Sequence, residues 1–163
     1  MNAPGLPNIQ IQHRYLSTLN GSESIRLAVA VALIDANSRI LLELRSDVLH
    51  WGITGGQLEV GEDPLQCGIR EIKEETGITL NTLDLVLIDV YGNPEDNRIL
   101  QYSDNRYHLV DILYVARFKS SEHLILSNES KELKFFNALS IPSRIVPPAF
   151  RIINDLIRAK LIL

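Results

Sequence analysis

Apolar residues along this chain fall into short blocks separated by turn-forming residues, the pattern of a domain built around a sheet. The longest block, residues 27–34, lies within RLAVAVALID, a segment rich in β-branched residues and too short for an ordinary helix. It also falls well short of a membrane span. RILLELR, residues 39–45, reads as a second strand, and Asp35-Ala36-Asn37-Ser38 supplies the turn of a hairpin between them. Further strands are expected over residues 83–91, 108–118 and 133–136, with a terminal helix over residues 148–161. The polar connection GNPEDNRILQYSDNR is long enough to predict a functional loop.

A glycine-rich loop, Trp51-Gly52-Ile53-Thr54-Gly55-Gly56, precedes a helix expected over residues 63–76. Asp63 suits its N-cap, Pro64 its first position, Gln66 the reciprocal capping position and Gly77 its end. No repeat or linker divides the chain. The pattern predicts a Pro-, Gly- and Ser-containing arm over residues 1–24, then one mixed α/β (α+β) domain over residues 25–163.

Composition adds little except by exclusion. The 163 residues suit a single domain, and 45% hydrophobic residues supply a core. A net charge of −4 disfavours a broad grip on a nucleic acid polymer. Cys67 is the single cysteine, so disulfides within the chain and multi-cysteine zinc sites are excluded. The amino terminus lacks the basic start and apolar run of a secretory leader, so a cytoplasmic protein with no membrane partner is expected.

The candidate chemistry lies on the 63–76 helix. At 100° per residue, Leu65, Ile69, Ile72 and Thr76 form one stripe, suited to packing on a sheet. Glu71, Glu74 and Glu75 gather elsewhere on the helix, where like charges cost roughly 0.2–0.5 kcal/mol per pair. Arg70 relieves part of that repulsion, and a hard divalent cation would relieve more. Carboxylates alone are more often a solvated face, and a glycine pair alone is more often a turn. Together they describe a loop able to bring backbone groups beside a carboxylate cluster.

Gly56, Glu62, Arg70-Glu71-Ile72, Glu74-Glu75 and Gly77-Ile78 stand at the spacings of the Nudix box, with seven fixed types and two apolar positions all in agreement. A chance match at one start point is on the order of one in a billion at average residue frequencies. The chain therefore resembles the Nudix hydrolase family. That resemblance implies a mixed sheet sandwiched between helices and hydrolysis of a diphosphate linkage with Mg²⁺ or Mn²⁺. It implies that Glu71, Glu74, Glu75 and the Gly55 carbonyl hold metal, that Arg70 orients the carboxylates, and that Glu62 supports the site. Glu71, Glu74 and Arg70 are then the catalytic candidates, with Glu71 as ligand or proton acceptor. Thr54 departs from the proline common in relatives.

Outside the box, Glu129 is a candidate further metal ligand and Arg45 a candidate phosphate-binding residue; an exposed glutamate and a surface ion pair are the alternatives. Trp51 is expected to pack beneath the loop, Cys67 to be an inert thiol, and His108 and His123 to have no metal role. Tyr91, Pro94, Arg98, Tyr102 and Arg106 offer aromatic and cationic groups that suit a nucleotide. The favoured substrate is a nucleoside diphosphate linked to another group, ADP-ribose first, tilted slightly by Pro94. A nucleoside triphosphate is the alternative within the class, a non-catalytic nucleotide sensor the alternative outside it, and a homodimer is compatible with the family. An isoprenoid diphosphate isomerase fits poorly, because Cys67 does not stand where that chemistry places its cysteine.

Overall fold

The structure, a computed structural model, describes residues 23–102, 105–119 and 123–163. The expected arm over residues 1–24 lies outside the described residues, apart from Glu23 and Ser24, which already belong to the first strand. In chain order the elements are β1 (Glu23–Ile34), β2 (Ile40–Arg45), β3 (Trp51–Gly52), β4 (Gly55–Gln57), α1 (Pro64–Thr76) and β5 (Val86–Tyr91). β6 (Ile99–Tyr102), β7 (Asn105–Arg117), β8 (Ser130–Phe136) and α2 (Ala149–Arg158) follow. The strands form one curled mixed sheet in the order β3-β2-β1-β7-β5, with β4 on β1, β6 on β7 and β8 on β2.

β1 pairs in parallel with β7 from Glu23 opposite Arg106 to Ile34 opposite Arg117. A central strand covered on both faces needs apolar residues at successive positions, which is why RLAVAVALI lacks polar alternation. Val29, Val31 and Leu33 pack with Cys67 and Ile72 of α1. Ala30, Ala32 and Ile34 pack with Ile152, Ile153 and Leu156 of α2. Burying each of those three α2 side chains contributes about 1.5–3 kcal/mol. The sheet is thus sandwiched between two helices, as expected.

The β1–β2 turn is closed by its first residue. Asp35 is buried, and its carboxylate accepts from the Asn37 and Arg39 N–H groups, each at 2.9 Å, and from the Arg39 guanidinium at 2.6 Å. Burial pushes this carboxyl up, but the Arg39 hydrogen bonds and charge, with the Asn37 N–H, outweigh it and hold it below the ordinary 3.8. A carboxyl held down in the folded state adds stability above its unfolded value and loses it as pH falls through the folded one. Asp35→Asn is therefore expected to cost about 1–2 kcal/mol at pH 7. Urea melts from pH 7 to 3 should show that deficit closing below pH 3.8, the ordinary value; a constant deficit would contradict the account.

Four expectations shift. The stretch read as a glycine-rich loop is largely extended, because Gly55–Gln57 form a ladder against Ala28, Val29 and Ala30. The polar connection after Tyr91 contains β6, whose residues Ile99 and Leu100 pair with His108 and Tyr107. β8 begins at Ser130, earlier than its apolar run, and β5 begins only at Val86, after a 3-10 turn over Thr82–Asp84. The β4 and β8 differences come from ladder partners distant in sequence, which local periodicity does not encode, whereas β6 pairs within a short hairpin to β7 and β5 is delayed by the local turn. Among the described residues β5 pairs only with β7, and Val86, Leu87, Ile88 and Val90 are exposed at the sheet edge.

Candidate active site

Local chemistry determines where α1 starts and stops. The Asp63 carboxylate accepts from the Leu65 and Gln66 N–H groups at 2.8 and 3.1 Å, while Gln66 Oε1 accepts from the Asp63 N–H. Pro64 opens the helix and Gly77 ends it in the left-handed region at φ 75°. The stripe facing the sheet buries Cys67, Gly68, Ile72 and Thr76, with Leu65 and Ile69 half-buried. The other side turns its carboxylates toward β4.

Arg70 sits at the centre of that acidic side. Its Nε and Nη2 donate to the two oxygens of Glu62 at 2.8 and 3.0 Å, a fork-to-fork pair. Nη1 donates to Glu71 at 2.7 Å and to Glu74 at 3.2 Å. The guanidinium holds the Glu62 carboxyl down at about 2. One cation therefore fixes three carboxylates in one arrangement.

β4 brings the backbone up to them. Gly55 adopts φ +143°, and a Cβ there would lie 2.1 Å from the Val29 carbonyl oxygen. Its N–H donates to the Glu75 carboxylate at 2.7 Å. Thr54, standing where relatives commonly have proline, is fully buried and donates its hydroxyl to the Val31 carbonyl at 2.8 Å. That bond ties the residue before the glycine pair to β1. At Gly56 a Cβ would meet the Glu71 carboxyl carbon at 2.3 Å. Gly56→Ala is therefore expected to push Glu71 aside and lower activity about 10–100-fold. Stability should change by less than about 1 kcal/mol, since a flexible side-chain end is what moves. An equal loss of melting temperature and activity would contradict this.

The site carries more negative charge than one arginine offsets. Glu75 is buried; burial, reinforced by the nearby Glu43 and Glu71 carboxylates, holds its carboxyl well above the ordinary range. Burial likewise raises Glu71, with Arg70 working against it. The sequence reading missed Glu43, which is buried in β2 and accepts from the Ser130 hydroxyl. The available signal was a lone acid inside ILLELR, two residues after Leu41 and so on the same face. Among the described residues, no three His, Cys, Asp or Glu side chains converge as ligands around one point. Glu71 and Glu74 point to Arg70, and Glu75 points to the Gly55 N–H. The donor set nevertheless fits a hard divalent cation: all oxygen, anionic, and crowded enough to raise two of its acids.

Two cavities meet at β4. One, of about 640 Å³, is lined by Glu71, Glu74 and Glu75 and by residues 126–129, Glu129 among them. The other, of about 560 Å³, has mainly apolar walls and lies on the α2 face of the sheet. Arg45, Gly55, Gly56 and Gln57 line both. Arg45 also pairs with Asp47 at 2.9 Å. Trp51 packs edge-on against Phe136, with ring centroids 4.9 Å apart, and makes no part of either wall. Cys67 is buried, and desolvation pushes its thiol up to about 12, which makes it inert. His108 contacts the Gly92 carbonyl at 2.6 Å and is no ligand of this site.

The connection after Tyr91 supplies less to the cavities than its composition suggests. Arg98 is fully buried and paired with Asp111, Pro94 is exposed in a turn, and Arg106 is exposed on β7. The Tyr102 side chain lies outside the described residues.

A family model described as the NUDIX domain matches residues 24–156, and the chain belongs to the Nudix hydrolase family. It is 30% identical over 105 residues to the m7GpppN-mRNA hydrolase NUDT17 of Xenopus laevis, a match covering 61% of this chain and 36% of that longer protein. It is 31% identical over 137 residues to the ADP-ribose pyrophosphatase of Methanocaldococcus jannaschii, covering 82% of this chain and 75% of the relative. The crystal structure of a MutT NUDIX hydrolase from Burkholderia pseudomallei superposes with a TM-score of 0.65 at 25% identity, covering 80% of this chain and 95% of that one.

Proposed function

We propose that this chain is a divalent-metal-dependent pyrophosphohydrolase that cleaves a nucleoside diphosphate linked to a second group, with ADP-ribose the favoured substrate. The observation that carries the proposal is the junction of the two cavities at β4. An acidic cavity suited to cation and diphosphate opens beside an apolar one whose volume, about 560 Å³, is that of a small-molecule pocket. The resemblance to an ADP-ribose pyrophosphatase over 82% of the chain supports the choice of substrate.

Glu71, Glu74, Glu75 and the Gly55 carbonyl would hold the cation, with Mg²⁺ or Mn²⁺ the natural choices for oxygen donors. Glu62 would support them through Arg70, and Glu129, in the same cavity wall, would add a further ligand. A bound divalent ion supplies neutralisation of the phosphate oxygens and makes an attacking water more acidic. Arg70 holds Glu62, Glu71 and Glu74 together before substrate arrives, which would limit the reordering left for the reaction. Glu71, raised by burial, would accept the proton of the attacking water. Arg45, which lines both cavities, would bind a phosphate oxygen. Water adds across one P–O–P bridge and yields two phosphomonoesters, AMP and ribose 5-phosphate in the favoured case.

The test is a panel of ADP-ribose, other nucleoside diphosphate conjugates and nucleoside triphosphates with Mg²⁺ or Mn²⁺, products being identified by mass. Hydrolysis of ADP-ribose to AMP, lost in chelator and restored by metal, is expected. Release of pyrophosphate from triphosphates, with conjugates untouched, would replace the substrate assignment. Binding of nucleotide without turnover of any member would overturn the hydrolase reading in favour of a sensor.

A further inference from the structure

The apolar cavity contains one carboxylate that the hydrolytic chemistry does not use. Asp111 of β7 is 8% exposed and lines the cavity wall. One of its oxygens is held by the Arg98 guanidinium, which is fully buried. Arg98 is itself fixed by a 2.9 Å hydrogen bond from Nη2 to the Pro148 carbonyl and lies 5.6 Å from the Tyr91 ring centroid. Among the described residues, the second Asp111 oxygen takes no hydrogen bond, and the cavity is the space it borders.

Sheet register gives this oxygen a fixed distance from the reaction centre. Tyr91, Asp111, Ala28 and Gln57 are successive register partners across β5, β7, β1 and β4. They stand in one row on one face, because directly opposed residues point the same way. Gln57 lines both cavities, so the row runs from the diphosphate junction into the apolar wall. With strands about 4.8 Å apart, Asp111 lies on the order of 10 Å from Gln57. That separation suits a nucleotide, with the phosphates at one end and the base at the other.

The chemistry of the pair narrows the ligand. Burial pushes the Asp111 carboxyl up against the pull of Arg98, but the paired arginine keeps its proton, so the oxygen left to the cavity is an acceptor backed by a cation. It accepts hydrogen bonds and donates none. Against apolar neighbours such as Leu109, Val146 and Ile152, an acceptor rewards an N–H and rejects a carbonyl at the same place.

We infer that Asp111 is a specificity-determining residue, whose cavity-facing oxygen accepts a hydrogen bond from the exocyclic amino group of adenine. The inference rests on the substrate reading above and adds the choice of base. A purely architectural ion pair, tying β6 to β7 and to Pro148, is the rival account, and it predicts no preference between bases.

Calorimetric binding of AMP and IMP to the full chain separates the two, since IMP carries an oxo group where AMP carries the amine. AMP is expected to bind at least about 10-fold more tightly, and ADP-ribose to exceed its hypoxanthine counterpart in kcat/KM by a similar factor, chiefly through KM. Asp111→Asn, whose amide can donate, should erase or invert the preference. Because that change leaves Arg98 without its anion, the paired variant Arg98→Gln/Asp111→Asn serves where the single one fails to fold. Equal affinity for AMP and IMP, or binding of neither, overturns the inference. Equal turnover of both conjugates overturns it too while leaving the hydrolase reading intact. An AMP preference without turnover of any conjugate supports Asp111 and defeats the hydrolase reading instead.

Discussion

Glu74→Gln is expected to lower kcat on the preferred substrate about 10²–10³-fold, the usual cost of removing one preorganised electrostatic contact from a reacting centre. The melting temperature should stay within a few degrees of wild type. The Glu74 side chain is 60% exposed and its one ion pair, to Arg70, spans 3.2 Å. An exposed pair of that kind contributes roughly 0–1 kcal/mol to stability. Of the three clustered glutamates it is therefore the cleanest to test. Glu75 is buried with a hydrogen bond to Gly55, and Glu71 is half-buried with a 2.7 Å bond to Arg70, so their substitution also disturbs the packing around the site. Steady-state kinetics over a range of Mg²⁺ concentrations, with thermal melts alongside, checks the outcome. Full turnover by a folded Glu74→Gln variant would remove this residue from the site.

Gly55→Ala should have the largest effect on stability, roughly 2–6 kcal/mol, from unfavourable backbone conformation and steric overlap together. At φ +143° an L side chain is strained, and its Cβ would press on the Val29 carbonyl and on Ala30 Cα, neither of which can move without breaking the β1–β4 ladder. A loss of that size is comparable with the whole stability of an ordinary domain. Gly61 supplies the internal control. It also has positive φ, at +89°, but nothing lies within 4 Å of a Cβ there, so Gly61→Ala should cost only about 1–2 kcal/mol. Denaturant titration of both variants separates overlap from backbone strain; equal costs would show that the contact with β1 is immaterial. The two glycines of the pair thus have different reasons to be glycine. Gly55 makes room for a backbone, Gly56 for the Glu71 carboxyl.

The helix that carries the box was legible in detail because everything that makes it is local. Asp63, Pro64, Gln66 and Gly77 act within a few residues of themselves, and the structure places each where its side-chain chemistry predicts. The acidic side and the buried stripe follow from a fixed angle per residue. β1 was legible for a related reason: an unbroken apolar run states that both faces of the strand are covered. β4 and β6 were not legible. GGQ and ILQY have no pattern that distinguishes them from loop, and they become strands only because β1 and β7 offer ladders to them.

The same division runs through the site. By itself the sequence determined the family, the carboxylate cluster and its arginine, since a motif of fixed spacing on a helix needs no distant partner to be read. Only the tertiary structure decided what surrounds that cluster. Glu43 and Ser130, 87 residues apart in the chain, meet and add a buried carboxyl beside Glu75. Arg98, which composition offered as a cation for the ligand, is withdrawn into the core by Asp111, and Asp111 stands on the cavity wall instead. Those outcomes depend on register between strands remote in the chain. A shift of one residue would turn Asp111 to the opposite face, and nothing in the local pattern of hydrophobic and polar positions specifies that register.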